Sequence, residues 1–283
     1  MAEGNTGTLY VVATPIGNLD DLSPRAQRTL AEADLIAAED TRHSAVLLKH
    51  FGIRTPLLSL HDHNEARRVP GLIGKLLAGK SVALISDAGT PLISDPGFGL
   101  VRSARAAGIR VVPIPGACAL IAALSASGLP TDRFVFEGFL PQKTAARQTR
   151  LAQLASETRT LVFYESVHRL EESLADMTRI FGAERQAVLA RELTKLHESI
   201  HGGTLAELVS WASSDSHAAK GEVVLLVAGA LAPDNATDAD TILTILLREL
   251  PVKQAVALTA KLTGQKRNAV YQRALEISAQ QKS

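Results

Sequence analysis

Ser81-Val-Ala-Leu-Ile85, followed at once by Ser86-Asp-Ala-Gly-Thr-Pro-Leu-Ile-Ser-Asp-Pro-Gly97, is the stretch that decides the fold. Its first five residues form a short apolar run suited to a buried strand. The next twelve hold two Gly, two Pro, two Asp, two Ser and a Thr, a composition that breaks regular structure. Phe98–Ala107 then returns to helical spacing. A loop therefore leaves the carboxyl end of a strand and enters a helix, and in open α/β sheets that edge is where ligands bind. A plain strand-to-helix connection takes about 2–6 residues. This one is longer and more polar, so it is read as a small-molecule site. Its glycines let a ligand approach the backbone, and its Asp residues accept from hydroxyl or amino groups.

The flanks repeat the pattern. Thr8–Ala13 is a predicted strand running into the turn Thr14-Pro15-Ile16-Gly17-Asn18. Ser23-Pro24 supplies an N-cap and a first-turn proline for a helix to about Ala33. Asp34–Ala38 is a second strand, ending in Glu39-Asp40-Thr41-Arg42; Leu72–Ala78 is helical, and Arg110–Ile114 is a further strand. Alternation of this kind predicts a mostly parallel α/β sheet. Pro113-Ile114-Pro115-Gly116 marks a domain boundary. Beyond it lie a small-residue helix, Ala117–Ala126, and strands at Phe134–Phe139, Thr160–Tyr164, Ala187–Ala190 and Val223–Ala228. Helices are predicted over Val167–Phe181 and up to about Ser213, with Glu198–Thr204 an extended piece that pairs antiparallel. The expected organisation is two α/β domains, 1–115 and 116–230, a linker at 231–240, and a basic helical tail at 241–283.

Composition narrows the classes. With 46% hydrophobic and 21% charged residues the chain can bury a sizeable core. A formal net charge of +1 excludes a bulk polyanion binder, so any contact with nucleic acid must be local. Residues 251–283 supply that locality: Lys253, Lys261, Lys266, Arg267, Arg273 and Lys282 face Glu276 alone, a net +5. Their helices, with a turn at Gly264, resemble a helix-turn-helix. The single cysteine, Cys118, permits no disulfide within the chain and fits a reducing compartment. No apolar run approaches membrane-spanning length and Met1–Thr8 lacks a signal-peptide pattern, so a soluble cytoplasmic protein is expected.

Several signatures are missing: no Gly-x-Gly-x-x-Gly follows the first strand, and there is no P-loop and no Gly-x-Ser-x-Gly elbow. His61-x-His63 lacks further ligands nearby, so no metal site is expected. Polar groups instead collect at predicted strand ends: Thr14 and Asn18, Glu39 to Arg42, Asp87, Glu165 to Arg169, and Arg191 to Lys195. Two sheets facing each other at these edges would make one cleft between them, a usual place for a ligand.

In order and spacing, Thr14–Asn18, Ala38–Arg42, Ser86–Gly97, Pro115-Gly116, Tyr164-Glu165-Ser166-Val167-His168-Arg169, Arg191–Lys195 and Gly221-Glu222 resemble the bacterial 16S ribosomal RNA cytidine 2′-O-methyltransferases of the tetrapyrrole-methylase superfamily. One departure is Val167, where that family commonly has Pro. The resemblance covers about residues 8–230, and the basic tail is similar to the family's C-terminal domain. It implies S-adenosylmethionine in the cleft, against Ile16, Asp87, Gly89, Thr90, Cys118, Ala119, Tyr164, Leu193 and Gly221, and a dimer that needs no metal. A ribose 2′-OH is a poor acid, so a base or a nearby cation is required. Glu39, Asp40, Glu165, Glu192 and Lys195 are the candidates, with Lys195 and Glu165 the chosen pair. Arg42, Lys143, Arg147, Arg150 and Arg169, with Lys266 and Arg267 in the tail, are expected to hold phosphates of 16S ribosomal RNA or of the small subunit. Two other readings are a tetrapyrrole C-methyltransferase, which has no use for a basic tail, and a non-catalytic RNA-binding module, which leaves the loop and strand-end clusters without a purpose.

Overall fold

The computed structural model describes residues 6–214, 221–231 and 235–280. Contacts divide the chain into two compact units that meet at Ala230/Leu231. The first unit holds two five-stranded sheets.

The first sheet is built from β1 (Thr8–Val12), α1 (Pro24–Glu32), β2 (Leu35–Ala38), α2 (Thr41–His50), β3 (Leu57–Ser59), α3 (Glu65–Leu77), β4 (Val82–Ile85), α4 (Phe98–Ala106) and β5 (Arg110–Ile114). Its order is β3-β2-β4-β1-β5 and every pairing is parallel. Strand β4 is buried at all four positions, as a strand with helices on both sides must be. Helices α1 and α2 seal one face through Ala26, Leu30 and Leu48, and α3 and α4 the other through Leu72, Leu76, Leu100 and Ala104. Ser23 caps α1 as expected, its hydroxyl accepting from the Ala26 N–H at 3.1 Å. Because β1 and β4 are neighbours, the loops that leave their carboxyl ends run side by side. Thr14 and Gly89 exchange backbone hydrogen bonds of 2.9 and 3.1 Å, which stitches the two loops together.

The second sheet follows α5 (Ala119–Ala126) and comprises β6 (Phe134–Phe139), α6 (Thr144–Leu154), β7 (Thr160–Ser166), α7 (Leu170–Phe181), β8 (Gln186–Arg191), β9 (Ser199–Thr204), α8 (Leu205–Ser214) and β10 (Glu222–Val227). Its order is β6-β7-β10-β8-β9. Only β6 and β7 run parallel; the other pairings, including the expected one of β9 with β8, are antiparallel. Leu151, Leu154, Leu174, Met177 and Leu208 cover one face. The other carries Val162, Val188, Ala190, Val224 and Leu226, and against it pack α5 and Ile16 from the loop after β1. The two α/β halves expected on either side of residue 115 therefore each have a sheet, but lie in one compact unit.

The second unit comprises α9 (Asn235–Glu249), α10 (Val252–Thr263) and α11 (Arg267–Gln280), joined around Leu243, Val256, Val270 and Ala274. Gly264 ends α10 in the left-handed conformation, at φ 70°. The expected linker at 231–240 is corrected, since α9 begins inside it at Asn235; positions 232–234 and Lys282 lie outside the described residues.

Candidate active site

A cavity of about 460 Å³ opens where the carboxyl ends of β1, β2 and β4 meet the face of the second sheet against which α5 packs. Its wall is assembled from distant segments. The loop after β1 gives Ile16, the residue just after β2 is Glu39, and the loop after β4 gives residues 87–90 and 93–95. The start of α5 gives Cys118 and Ala119, β7 gives Tyr164 to Ser166, and β10 gives Glu222 to Val224. Ala190 and Leu193 from the end of β8, Phe139 and Gly221 complete it. All nine residues expected around a cofactor line this one cavity. Gly221 is at φ 101°, and a side chain there would run into the Glu192 carboxylate, so both backbone shape and space demand glycine.

The charge in the cavity is negative. Glu39, Asp87 and Asp95 all line it, and no cation is paired with any of them among the described residues. Asp87 Oδ1 accepts from the Asp40 N–H at 3.0 Å, which fixes that carboxylate across two strand ends. Burial raises the Asp95 pKa to about 6, against the pull of a hydrogen bond with Ser86, and the nearby charges of Glu39, Asp87 and Asp62 raise it further. Burial and the neighbouring Asp87 also raise the pKa of Glu39. Burial pushes the Tyr164 phenol upward too, so it stays protonated, and its oxygen accepts from the Leu120 N–H at 3.3 Å.

Both members of the chosen catalytic pair are engaged by other groups. Glu165 is 2% exposed and fully engaged: it accepts from Arg169 at 2.7 Å, from the Ser166 N–H at 2.8 Å and from the Ser173 hydroxyl at 2.6 Å. Lys195 stands outside the cavity wall, its stem against Gly17 and its ammonium on Glu192 at 2.8 Å and Glu222 at 3.1 Å. Burial alone would favour its neutral form, but the two carboxylates outweigh that and raise its pKa, so it is a poor proton acceptor. The stem of Lys195 instead packs against the loop after β1 at Gly17. Glu192 is likewise taken up by Lys195 and by the Glu222 N–H, and Asp40 by capping α2 and pairing with Arg42.

The expected phosphate ligands divide. Arg147 is 1% exposed and bound to Asp176 at 2.7 Å and Glu172 at 3.2 Å, so it is a core ion pair that cannot reach a phosphate. Arg169 is spent on Glu165 and on the Leu140 carbonyl. Arg150 pairs with Glu137 and Arg42 with Asp40, though both remain open to solvent. Lys143, Lys266 and Arg267 are exposed and carry no ion pair among the described residues. His61 and His63 stand with ring centroids 6.0 Å apart, and no cluster of three ligating side chains forms among the described residues. Asp95 and Phe139 went unmarked in the sequence; the signal for Asp95 was its place in the loop that decides the fold.

No described helix is long and apolar enough to cross a membrane. Residues 8–209 match the tetrapyrrole (corrin/porphyrin) methylases, and residues 233–278 match the RsmI C-terminal HTH domain. The chain is 60% identical over 276 residues to ribosomal RNA small subunit methyltransferase I of Pseudomonas aeruginosa, covering 96% of this chain and 98% of that protein. It is 54% identical over 277 residues to the protein of the same name from Escherichia coli O157:H7, covering 97% of each. Among solved structures, the methyltransferase CobJ superposes with a TM-score of 0.59 at 21% identity, over 80% of this chain and 95% of that one. Uroporphyrin-III C-methyltransferase from Thermus thermophilus, complexed with S-adenyl homocysteine, gives 0.54 at 19% identity over 79% and 98%. At those identities the likeness concerns the fold. The chain belongs to the tetrapyrrole methylases and, within them, to the ribosomal RNA small subunit methyltransferase I family.

Proposed function

We propose that the protein transfers a methyl group from S-adenosylmethionine to the 2′-hydroxyl of a cytidine ribose in 16S ribosomal RNA, working as a homodimer in the cytoplasm. The observation that carries this reading is the cavity's composition: three carboxylates without cationic partners beside an apolar wall of Ile16, Ile93, Ala190, Leu193 and Val224. An adenosyl sulfonium combines an apolar ring, polar hydroxyls and a positive charge, and that wall complements each. The nine lining residues named above would hold it, with Asp87 and Glu39 favouring its charge and Thr90 and Gly89 meeting its polar groups.

When bound, the donor supplies an electrophilic methyl that needs no further activation by protein. The chain's part is to position and to accept a proton. Holding the hydroxyl oxygen in line with the methyl can supply roughly 7–11 kcal/mol of the barrier. Transfer of that methyl would release the hydroxyl proton, and a carboxylate of the cavity wall would accept it. Asp95 is our choice of acceptor: it lines the cavity, has no cation to neutralise it, and its pKa of about 6 lies near working pH. Lys143, Lys266 and Arg267 would meet phosphates, which positions the RNA without reading its sequence.

Mass mapping of small-subunit RNA from a strain lacking this chain tests the reading. One cytidine ribose is expected to lose its methyl group; an unchanged ribose pattern would overturn the assignment. Asp87→Ala is expected to weaken donor affinity roughly ten- to hundredfold, the scale of a lost hydrogen bond to a charged group, without unfolding the protein. Titration calorimetry measures it, and full affinity in that variant would move the donor elsewhere.

A further inference from the structure

Phe139 is out of place for a large apolar side chain. It is 57% exposed, yet it lines the cavity, its ring edge-on to Tyr164 with centroids 5.6 Å apart. A backbone irregularity puts it there. In the parallel pair β6·β7, Phe136 lies opposite Val162, then the register shifts and Gly138 lies opposite Phe163 and Phe139 opposite Tyr164. Val162 and Tyr164 belong to the cavity face of the sheet, and Phe163 to the opposite, helix-covered face. Paired without that shift, Gly138 would fall opposite Tyr164, and Phe139 would turn to the helix-covered face, because side chains alternate. A bulge is a device for re-aiming a side chain beside an active site. This one requires φ 66° at residue 138, which glycine adopts without strain, and a side chain there would crowd the Ser94 hydroxyl.

The placement is also held rigid. Leu140, the next residue, is buried in the core, and its carbonyl accepts from Arg169 at 3.1 Å while Arg169 grips Glu165. The chain thus fixes a bare aromatic face at the mouth of its methyl-transfer site, four residues before the exposed Lys143. The 2′-hydroxyl has to enter the cavity to meet the donor, and a target nucleotide that leaves its stack to bring it there gives up its stacking energy. Unstacked bases are recovered on aromatic side chains.

Taking the RNA reading above as its premise, we propose that Phe139 is a positioning residue on which the pyrimidine ring of the extruded target nucleotide stacks, so that its ribose faces the donor. The base stacks on the ring, not the adenine of the methyl donor. This makes Phe139 a determinant of RNA turnover and leaves donor affinity to the rest of the wall.

The test uses the full chain, small ribosomal subunits from a strain lacking it, and labelled methyl donor. Phe139→Ala and Phe139→Leu are expected to lower kcat/KM for RNA roughly tenfold or more, the scale of one lost base–aromatic stack. Phe139→Trp is expected to retain it, because a stacking face remains. S-adenosylhomocysteine affinity, measured by calorimetry, is expected to be unchanged in all three, and their thermal midpoints to match the wild type, since the ring is largely exposed. Wild-type turnover in Phe139→Leu would mean the ring is only apolar cover. A parallel loss of S-adenosylhomocysteine affinity would assign the ring to the donor. Either result overturns the proposal, and a wild-type chain that leaves the subunit unmethylated overturns the functional reading with it.

Discussion

Asp95 shows how a site can be stored as electrostatic stress. It shares the cavity wall with Asp87 and Glu39, and its folded-state pKa of about 6 lies well above the 3.8 of a free aspartate. A carboxyl whose pKa rises on folding binds its proton more tightly in the native state. Between those two values the native chain keeps a proton that the unfolded chain loses, so stability falls as pH rises and the cost is complete above about 6. Asp95→Asn is therefore expected to stabilise the protein at pH 8 by about 1 kcal/mol, a figure discounted for the solvent that reaches the group. The gain should vanish near pH 4; thermal midpoints at both pH values check it. The same variant is expected to lose turnover, and wild-type methyl transfer should climb through pH 6 as Asp95 ionises. Arg147 shows the limit of a residue read in its local window. The stretch Pro141–Arg150 contains no acid, so its cations read as free, but Asp176 and Glu172 arrive from a helix about one strand and two loops later. A buried guanidinium is tolerable only when so paired, and its partners are not visible from its neighbours.

At the scale of elements, both loops that frame the site carry non-glycine residues in the left-handed region. Leu92 and Ser94 do so after β4, and Glu192 and Thr194 after β8. Thr194 is the sharpest, since a β-branched residue at φ 67° is a true outlier and its hydroxyl is buried without a hydrogen-bond partner. Such strain persists only when its surroundings over-determine it. Here the Thr194 N–H is tied to Glu198 at 2.6 Å and Leu193 is pressed into the cavity wall. Thr194→Gly is expected to raise stability by about 1 kcal/mol and to lower donor affinity by freeing Leu193. Chemical denaturation and calorimetry on one preparation read both. The strand pattern was legible for a related reason: β4, β8 and β10 are buried, largely apolar runs, bounded by turn formers. Helices with narrow or mixed inner faces were not. Only Ser44 and Leu48 are buried in α2, and the inner face of α6 includes Arg147, so neither shows a clean apolar stripe. Helix α3 starts at Glu65, not Leu72, because it continues through Pro70, where a proline normally signals a boundary.

At the scale of the whole molecule, the chain divides its tasks between two compact units. The first supplies the cavity, whose lining comes from segments 16 to 224; the polar strand ends placed Glu39, Asp87 and Glu165 in one cleft from the sequence itself, and the resemblance of its motifs added the apolar wall. The second supplies charge, though less of it than a count suggests. Arg273 is held by Asp240 at 2.6 Å and by Glu276 at 2.6 Å, so it is neutralised within its own bundle. Lys266 and Arg267, at the turn before and the first residue of α11, remain open. In a helix-turn-helix the start of the second helix is the part that reaches nucleic acid. If these two cations meet phosphates, each contact releases counterions, and the logarithm of RNA affinity falls with the logarithm of salt by roughly 0.7–0.9 per contact. The double variant Lys266→Ala, Arg267→Ala is expected to flatten that slope by about 1.5 and to weaken RNA binding most at low salt. Donor affinity should stay as in the wild type, because the cavity is lined by the first unit alone. Filter binding across a salt series, paired with donor calorimetry, separates the two tasks. An unchanged slope would leave the RNA to Lys143 and the other cations of the first unit, and would make the second unit's match to a helix-turn-helix domain a statement about shape alone.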